Sequence, residues 1–102
     1  MKKLFVILTA LVFVASVAMA ASSQAEKIYK TRCIGCHGLD GSKKAPGSDV
    51  VIKGEAQDKI ETALLGYKAG TYGGNGKKIM ESQVKSYDEA TLKDLAAYVA
   101  GL

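Results

Sequence analysis

The sequence predicts an all-α protein, and three observations carry that expectation. Apolar residues recur at helical spacing in the sets Ala25-Ile28-Tyr29, Ile60-Ala63-Leu64-Tyr67 and Leu92-Leu95-Ala96-Val99. No segment alternates polar and apolar residues as a half-buried strand does, and the β-branched run Val50-Val51-Ile52 is too short and isolated to found a sheet. Glycine and charge fill the stretches between the periodic sets, so long loops should connect the helices.

The opening of the chain is a unit of its own. Met1-Lys2-Lys3 precedes an apolar run from Leu4 to Val17, broken only by Thr9 and Ser16, and Ala18-Met19-Ala20 puts small residues where a signal peptidase cuts. The expected organisation is a signal peptide over 1–20, cleaved after Ala20, and one domain over 21–102. A retained membrane anchor is the competing reading, because the run approaches bilayer-spanning length. Export of this kind looks bacterial and would place the mature chain in the periplasm, with no stable membrane insertion after cleavage.

Removing the leader changes the composition. The whole chain is 48% hydrophobic, but the leader holds 16 of those residues, leaving 33 among the last 82, about 40%, as in a small soluble domain. Lys2 and Lys3 are the leader's only charges, so the domain sets 12 of the 14 basic residues against all 10 acidic ones and carries a formal charge of +2. That is too little to support nucleic acid as a partner. Phe5 and Phe13 leave with the leader, Trp is absent, and all 11 glycines stay. A domain this size with so few aromatics usually needs something besides side chains to complete its core.

The first helix is expected to begin at Ser23, whose hydroxyl stands in capping-box spacing with Glu26, and to run to about Arg32. Leu39 to Glu55, around the single proline Pro46, reads as irregular loop. A second helix is expected over Ala56 to Ala69, with Gly70 as a left-handed terminator. Gly73-Gly74-Asn75-Gly76 reads as a turn, and the chain beyond it is ambiguous, with Met80 placed in a loop, until Asp88 caps a third helix that runs to Val99.

Chemistry concentrates in Cys33-Ile34-Gly35-Cys36-His37. Thiols three positions apart can add to the two vinyl groups of a haem, and the adjacent imidazole then reaches the iron. A disulfide, half of a zinc site and a redox dithiol share the Cys-x-x-Cys spacing. Zinc is short of ligands, since the chain offers only three Cys and His residues in total, and a disulfide closing so small a loop would stabilise little. His37 is the only histidine, so a second axial ligand must be of another kind; Met80, the only methionine after the leader, is the candidate. A core-filling methionine is the plainer alternative.

The chain resembles the small monohaem class I c-type cytochromes, of the short bacterial kind, over essentially its whole mature length. Ala25 and Tyr29 stand eight and four positions before Cys33, where that family packs a small and an aromatic residue against its last helix, and Asp94-Leu95-Ala96-Ala97-Tyr98 resembles the segment they meet. Cys36-His37-Gly38, Asp40-Gly41 and Pro46 follow the family's run; the chain departs from it after Met80, where Glu81-Ser82-Gln83 stands and a proline is common.

The resemblance implies a cytochrome c fold: three main helices and long loops around one covalently bound haem, with the N- and C-terminal helices crossing. It implies haem c as cofactor, thioether attachment through Cys33 and Cys36, iron held by His37 and Met80, and a Pro46 carbonyl accepting from the ligand histidine, although Pro46 could equally be a plain loop proline. The expected activity is that of a periplasmic electron carrier and not an enzyme, a monomer exchanging single electrons with membrane or periplasmic donors and with terminal oxidases or reductases. Lys43, Lys44, Lys53, Lys68, Lys77 and Lys78 could steer docking or merely keep the domain soluble. The alternative function is a haem-based sensor or gas-binding protein whose axial methionine is displaceable.

Overall fold

A computed structural model of the chain describes residues 20–102. Apart from Ala20, the expected signal peptide lies outside the described residues. Four helices make up the domain, with no strand among the described residues.

The first, α1, is one continuous helical run over 20–37: α-helical over 20–28, a π-helical turn at Tyr29–Cys33, and α-helical again at Ile34–His37. It is already formed at Ser23, which therefore sits inside it and does not cap it, and Glu26 accepts from the Lys30 ammonium one turn on, at 2.7 Å. The run also passes the expected end at Arg32, because the π turn keeps the ladder going: the Ile34 N–H bonds the Tyr29 carbonyl five residues back. A π turn has no composition signal of its own.

Helix α2 spans Gln57–Ala69 and ends as expected at Gly70, whose φ of 77° is left-handed. Gly66, inside α2, lets the returning chain come close: a Cβ there would stand 2.5 Å from the Cβ of Tyr72, whose ring meets Tyr67 edge-on at 5.1 Å. Helix α3, Lys77–Val84, fills the stretch that the sequence leaves ambiguous, and puts Met80 on a helix where a loop is expected. Its N-terminus is Gly76, with no capping side chain, and only Ile79, Met80 and Val84 mark a face, so neither boundary nor period identifies it. Its end is tied by the Lys68 ammonium, which donates to the Lys85 carbonyl at 3.1 Å. Helix α4, Glu89–Ala100, starts where expected, the Asp88 carboxylate accepting the Thr91 N–H at 2.8 Å.

The core lies where α2 packs along α4, and α1 contributes Ile28 and Tyr29 to it. Ile28, Tyr29, Ile60, Leu64, Val84, Leu92, Leu95, Ala96 and Val99 form a single buried cluster. The terminal helices meet through Tyr29 and Tyr98, ring centroids 5.7 Å apart and tilted, and Arg32 lies over the Tyr87 ring at 5.7 Å, joining α1 to the α3–α4 connection. Among the described residues no helix is long and apolar enough to cross a membrane.

Among the described residues, Tyr29 and Leu92 are the largest side chains removed completely from solvent. Leu92→Ala leaves a hole between α4 and α2 and should lower unfolding free energy by about 2–5 kcal/mol. A denaturant titration checks it: the midpoint falls while the slope stays at the wild-type value.

Candidate cofactor site

Cys33, Cys36 and His37 are related as i, i+3 and i+4 on a helical backbone, so the last turn of α1 presents all three on one face. Both thiols are free and half-buried. Burial pushes the Cys33 thiol up to about 11 against the opposing pull of Arg32, so it stays protonated at neutral pH. A redox dithiol needs the reverse, a thiol depressed towards thiolate. A zinc cage is absent too: among the described residues no three Cys, His, Asp or Glu side chains converge on one point.

His37 is buried, 9% exposed, and burial holds its imidazole below the usual histidine range, so it is neutral near pH 7. Its Nδ1 is buried with no hydrogen-bond partner. A buried nitrogen left unpaired costs about 1–3 kcal/mol, a cost proteins tolerate where the group has a ligand to meet.

The turn after His37 is tied down on every side. The Tyr29 hydroxyl donates to the Gly38 carbonyl at 2.5 Å. The Lys43 N–H donates to the His37 carbonyl at 3.0 Å, and the Lys43 ammonium donates to the Gly35 carbonyl at 2.9 Å. Gly38 turns the chain with φ 83° and ψ 166°, a conformation that a side chain opposes. Farther on, Asp40 accepts from the Ser42 hydroxyl at 2.6 Å, the Ser42 N–H at 3.2 Å and the Lys53 ammonium at 3.0 Å, while the Lys53 N–H reaches the Gly41 carbonyl at 3.0 Å. This strap binds residues 40–42 to the far side of the 39–55 loop.

Pro46 is exposed, and its carbonyl comes within 3.9 Å of the position a Cβ would take on Gly76, at the head of α3. The expected hydrogen bond from His37 Nδ1 to that carbonyl is not formed in this structure. Met80 lies in α3 and not in a loop, half-buried and packed against the core cluster. The structure thus brings Cys33, Cys36 and His37 together on α1, and puts Met80 on a helix that packs against α2 and begins beside the Pro46 loop. The donors from Tyr29 and Lys43 went unrecognised in the sequence: Tyr29 stood out only as an aromatic for packing, and Lys43 only as surface charge.

These residues fit a porphyrin. Two unpaired thiols and a neutral buried imidazole share one face, and the large apolar side chains Leu39, Val50 and Ile79 are left 68%, 57% and 53% exposed by the helices. Thioether formation, iron ligation and cover by a flat apolar ring would use all of them.

The hydroxyl and N–H of Ser42 and the Lys53 ammonium hold the Asp40 carboxyl well below the usual carboxylate range. A carboxyl depressed in the folded state contributes stability that is full above its unfolded value, about 3.9, and is lost as pH falls below it. Asp40→Asn should therefore lower the melting temperature at pH 7 and flatten its decline between about pH 5 and pH 2. Calorimetric scans of both proteins across that range check it; parallel declines would show that the strap contributes nothing.

The family model for cytochrome c matches residues 22–102. A cytochrome c-553 of Nitratidesulfovibrio vulgaris is 42% identical over 105 residues, covering 100% of both chains. One of Desulfomicrobium norvegicum is 39% identical over 71 residues, 70% of this chain and 86% of its own, and one of Helicobacter pylori is 33% identical over 102 residues, 100% of this chain and 99% of its own. The chain therefore belongs to the cytochrome c family and is an electron carrier built on a covalently bound, iron-containing haem c.

Proposed function

We propose that the domain over 21–102, freed of its leader, is a periplasmic one-electron carrier in which Cys33 and Cys36 form the thioether bonds and His37 and Met80 are the two axial ligands. The observation that carries this reading is His37, a buried, neutral imidazole with an unpartnered nitrogen, one residue from a free thiol and on the same helical face as a second.

Bound haem c supplies an iron that changes by a single electron between ferric and ferrous states. What the chain does is hold. His37 keeps its lone pair available because burial disfavours its protonation. Met80, anchored by the first turn of α3 through its N–H to the Gly76 carbonyl at 3.4 Å, offers a soft thioether that favours the ferrous form. With two ligands from a packed scaffold, reduction demands little rearrangement and no proton transfer, as outer-sphere exchange with a redox protein requires. Pro46 is assigned as the acceptor for the remaining imidazole proton, a bond not formed in this structure. No substrate is transformed.

Partners are membrane or periplasmic donors and terminal oxidases or reductases, met by a monomer in brief encounters. Four of the six lysines named as steering candidates are already engaged. Lys53 is paired with Asp40 at 3.0 Å and Lys44 with Asp49 at 3.8 Å, while Lys43 and Lys68 are spent on backbone carbonyls. Lys77 and Lys78, at the start of α3, make no ion pair among the described residues.

Met80→Ala tests the ligand set against the gas-binding alternative. The wild-type ferrous protein should resist carbon monoxide, whereas the variant should bind it, lose its low-spin ferric spectrum, and fall in reduction potential by about 0.1 V or more, within the ~0.8 V range that axial ligands span. Avid carbon monoxide uptake by the wild type would establish the sensor reading instead. A second expectation concerns docking: stopped-flow exchange with an acidic redox protein should slow only a few fold between low and physiological salt, against the roughly 10–10³-fold reach of strongly steered pairs.

A further inference from the structure

We infer that Lys68 and Gly66 are positioning residues for the axial methionine, because they hang α3, the helix that carries Met80, from the last turns of α2 at both of its ends. This deepens the ligand assignment above and rests on it.

Helix α3 does little to fix its own place. It has no capping side chain, and among its described residues Val84 alone is buried. Of the other helices it packs chiefly on α2. Eight residues with one buried side chain make a marginal helix, so the place of Met80 is set by whatever ties α3 down.

The ties all reach the last turns of α2. Ahead of α3, Tyr72 lies against Gly66: a Cβ on Gly66 would stand 2.5 Å from the Tyr72 Cβ, and the Thr71 N–H donates to the Gly66 carbonyl at 2.9 Å. Only a residue without a side chain permits that approach. Beside the middle of α3, a carboxylate oxygen of Glu81 comes within 3.7 Å of the position a Cβ would take on Gly70. Beyond α3, the Lys68 ammonium donates to the Lys85 carbonyl at 3.1 Å. That carbonyl is one that a helix end leaves without a helical donor, and a positive charge there is favourably placed against the helix dipole. Lys68 acts on the next helix as well: the Thr91 hydroxyl and N–H, and then the Lys68 charge, hold the Asp88 carboxyl below the usual carboxylate range. Met80 stands between the two ends, so release of either one lets α3 shift or fray and shortens the time for which the thioether stays in place.

The test uses ferric holoprotein in four variants, Lys68→Met, Lys68→Arg, Gly66→Ala and Leu92→Val. Lys68 is exposed, so its replacement keeps the fold. Ala is a better helix former than Gly, so Gly66→Ala strengthens α2 while it pushes Tyr72 away. Leu92→Val loosens the core without touching either tie. Imidazole at rising concentration displaces Met80, and the displacement rate levels off at the rate with which the methionine leaves unaided. Native-state exchange reads the Lys85 amide, which donates to the Glu81 carbonyl at 3.1 Å. Lys68→Met should raise the plateau rate by about fivefold and Gly66→Ala by about tenfold, and each should speed Lys85 amide exchange. Lys68→Arg should keep both readouts at the wild-type values, and Leu92→Val should leave the plateau unchanged. A wild-type plateau in either Lys68→Met or Gly66→Ala, an equal rise in Leu92→Val, or a Lys68→Arg protein that behaves as Lys68→Met does, would overturn the positioning role alone. Absence of a hyperfine-shifted Met80 methyl signal from the proton NMR spectrum of the wild type, before imidazole is added, would overturn the ligand assignment and this inference with it.

Discussion

The domain depends on how the last turns of α1 are buried. Cys33, Cys36 and His37 fall within five consecutive positions, and whatever desolvates one side of that segment sets the chemistry of all three. Tyr29, four residues ahead and wholly buried, pins the segment to the core, and burial then keeps the Cys33 thiol and the His37 imidazole uncharged. Uncharged groups are the ones that can be enclosed by an apolar ring at modest cost. The same burial leaves His37 Nδ1 without a partner, so the protein alone carries a penalty. Cofactor binding to the folded state works in the opposite direction, stabilising it by mass action or, for a covalent group, outright.

Much of this was legible before any coordinates. The Cys-x-x-Cys-His run specifies its chemistry by spacing alone, and Asp88 and Gly70 announce helix boundaries because a carboxylate next to free N–H groups and a residue tolerant of positive φ have few other uses. The failures have physical reasons. Ser23 and Glu26 have capping-box spacing, yet a helix that starts earlier leaves such a pair nothing to cap, and Glu26 turns to Lys30. Helix α3 lacks both a capping side chain and a strong apolar stripe; it is held by tertiary packing and by the Lys68 bond at its end, neither of which a single sequence displays. Hydrogen bonds such as Tyr29 to Gly38 join residues nine apart across a π turn, an offset no periodicity argument supplies.

The two parts of the molecule are stabilised by different means. Where α1, α2 and α4 meet, interlocking apolar side chains do the work, and the penalty for a lost methylene is a cavity. Residues 38–55 have almost no buried side chain, and their shape comes from carbonyls and N–H groups tied to Tyr29, Lys43, Ser42 and Lys53. Such bonds are directional and individually modest, about 0.5–1.5 kcal/mol each, so they specify geometry better than they add stability. An electron carrier benefits from that division. The apolar half tolerates changes in packing, while the loop half keeps its shape through directional bonds.

That division also explains the use of lysine. In a domain of formal charge +2, long basic side chains could have been left as a steering field, yet Lys43 and Lys68 reach back to main-chain carbonyls and Lys53 closes the strap on Asp40. Ammonium groups held this way are still charged and still solvated, but their positions are fixed by the fold and their fields are partly cancelled by the carbonyls and carboxylates they meet. What remains at long range is weak. Recognition of a redox partner then depends on short-range contact more than on long-range steering.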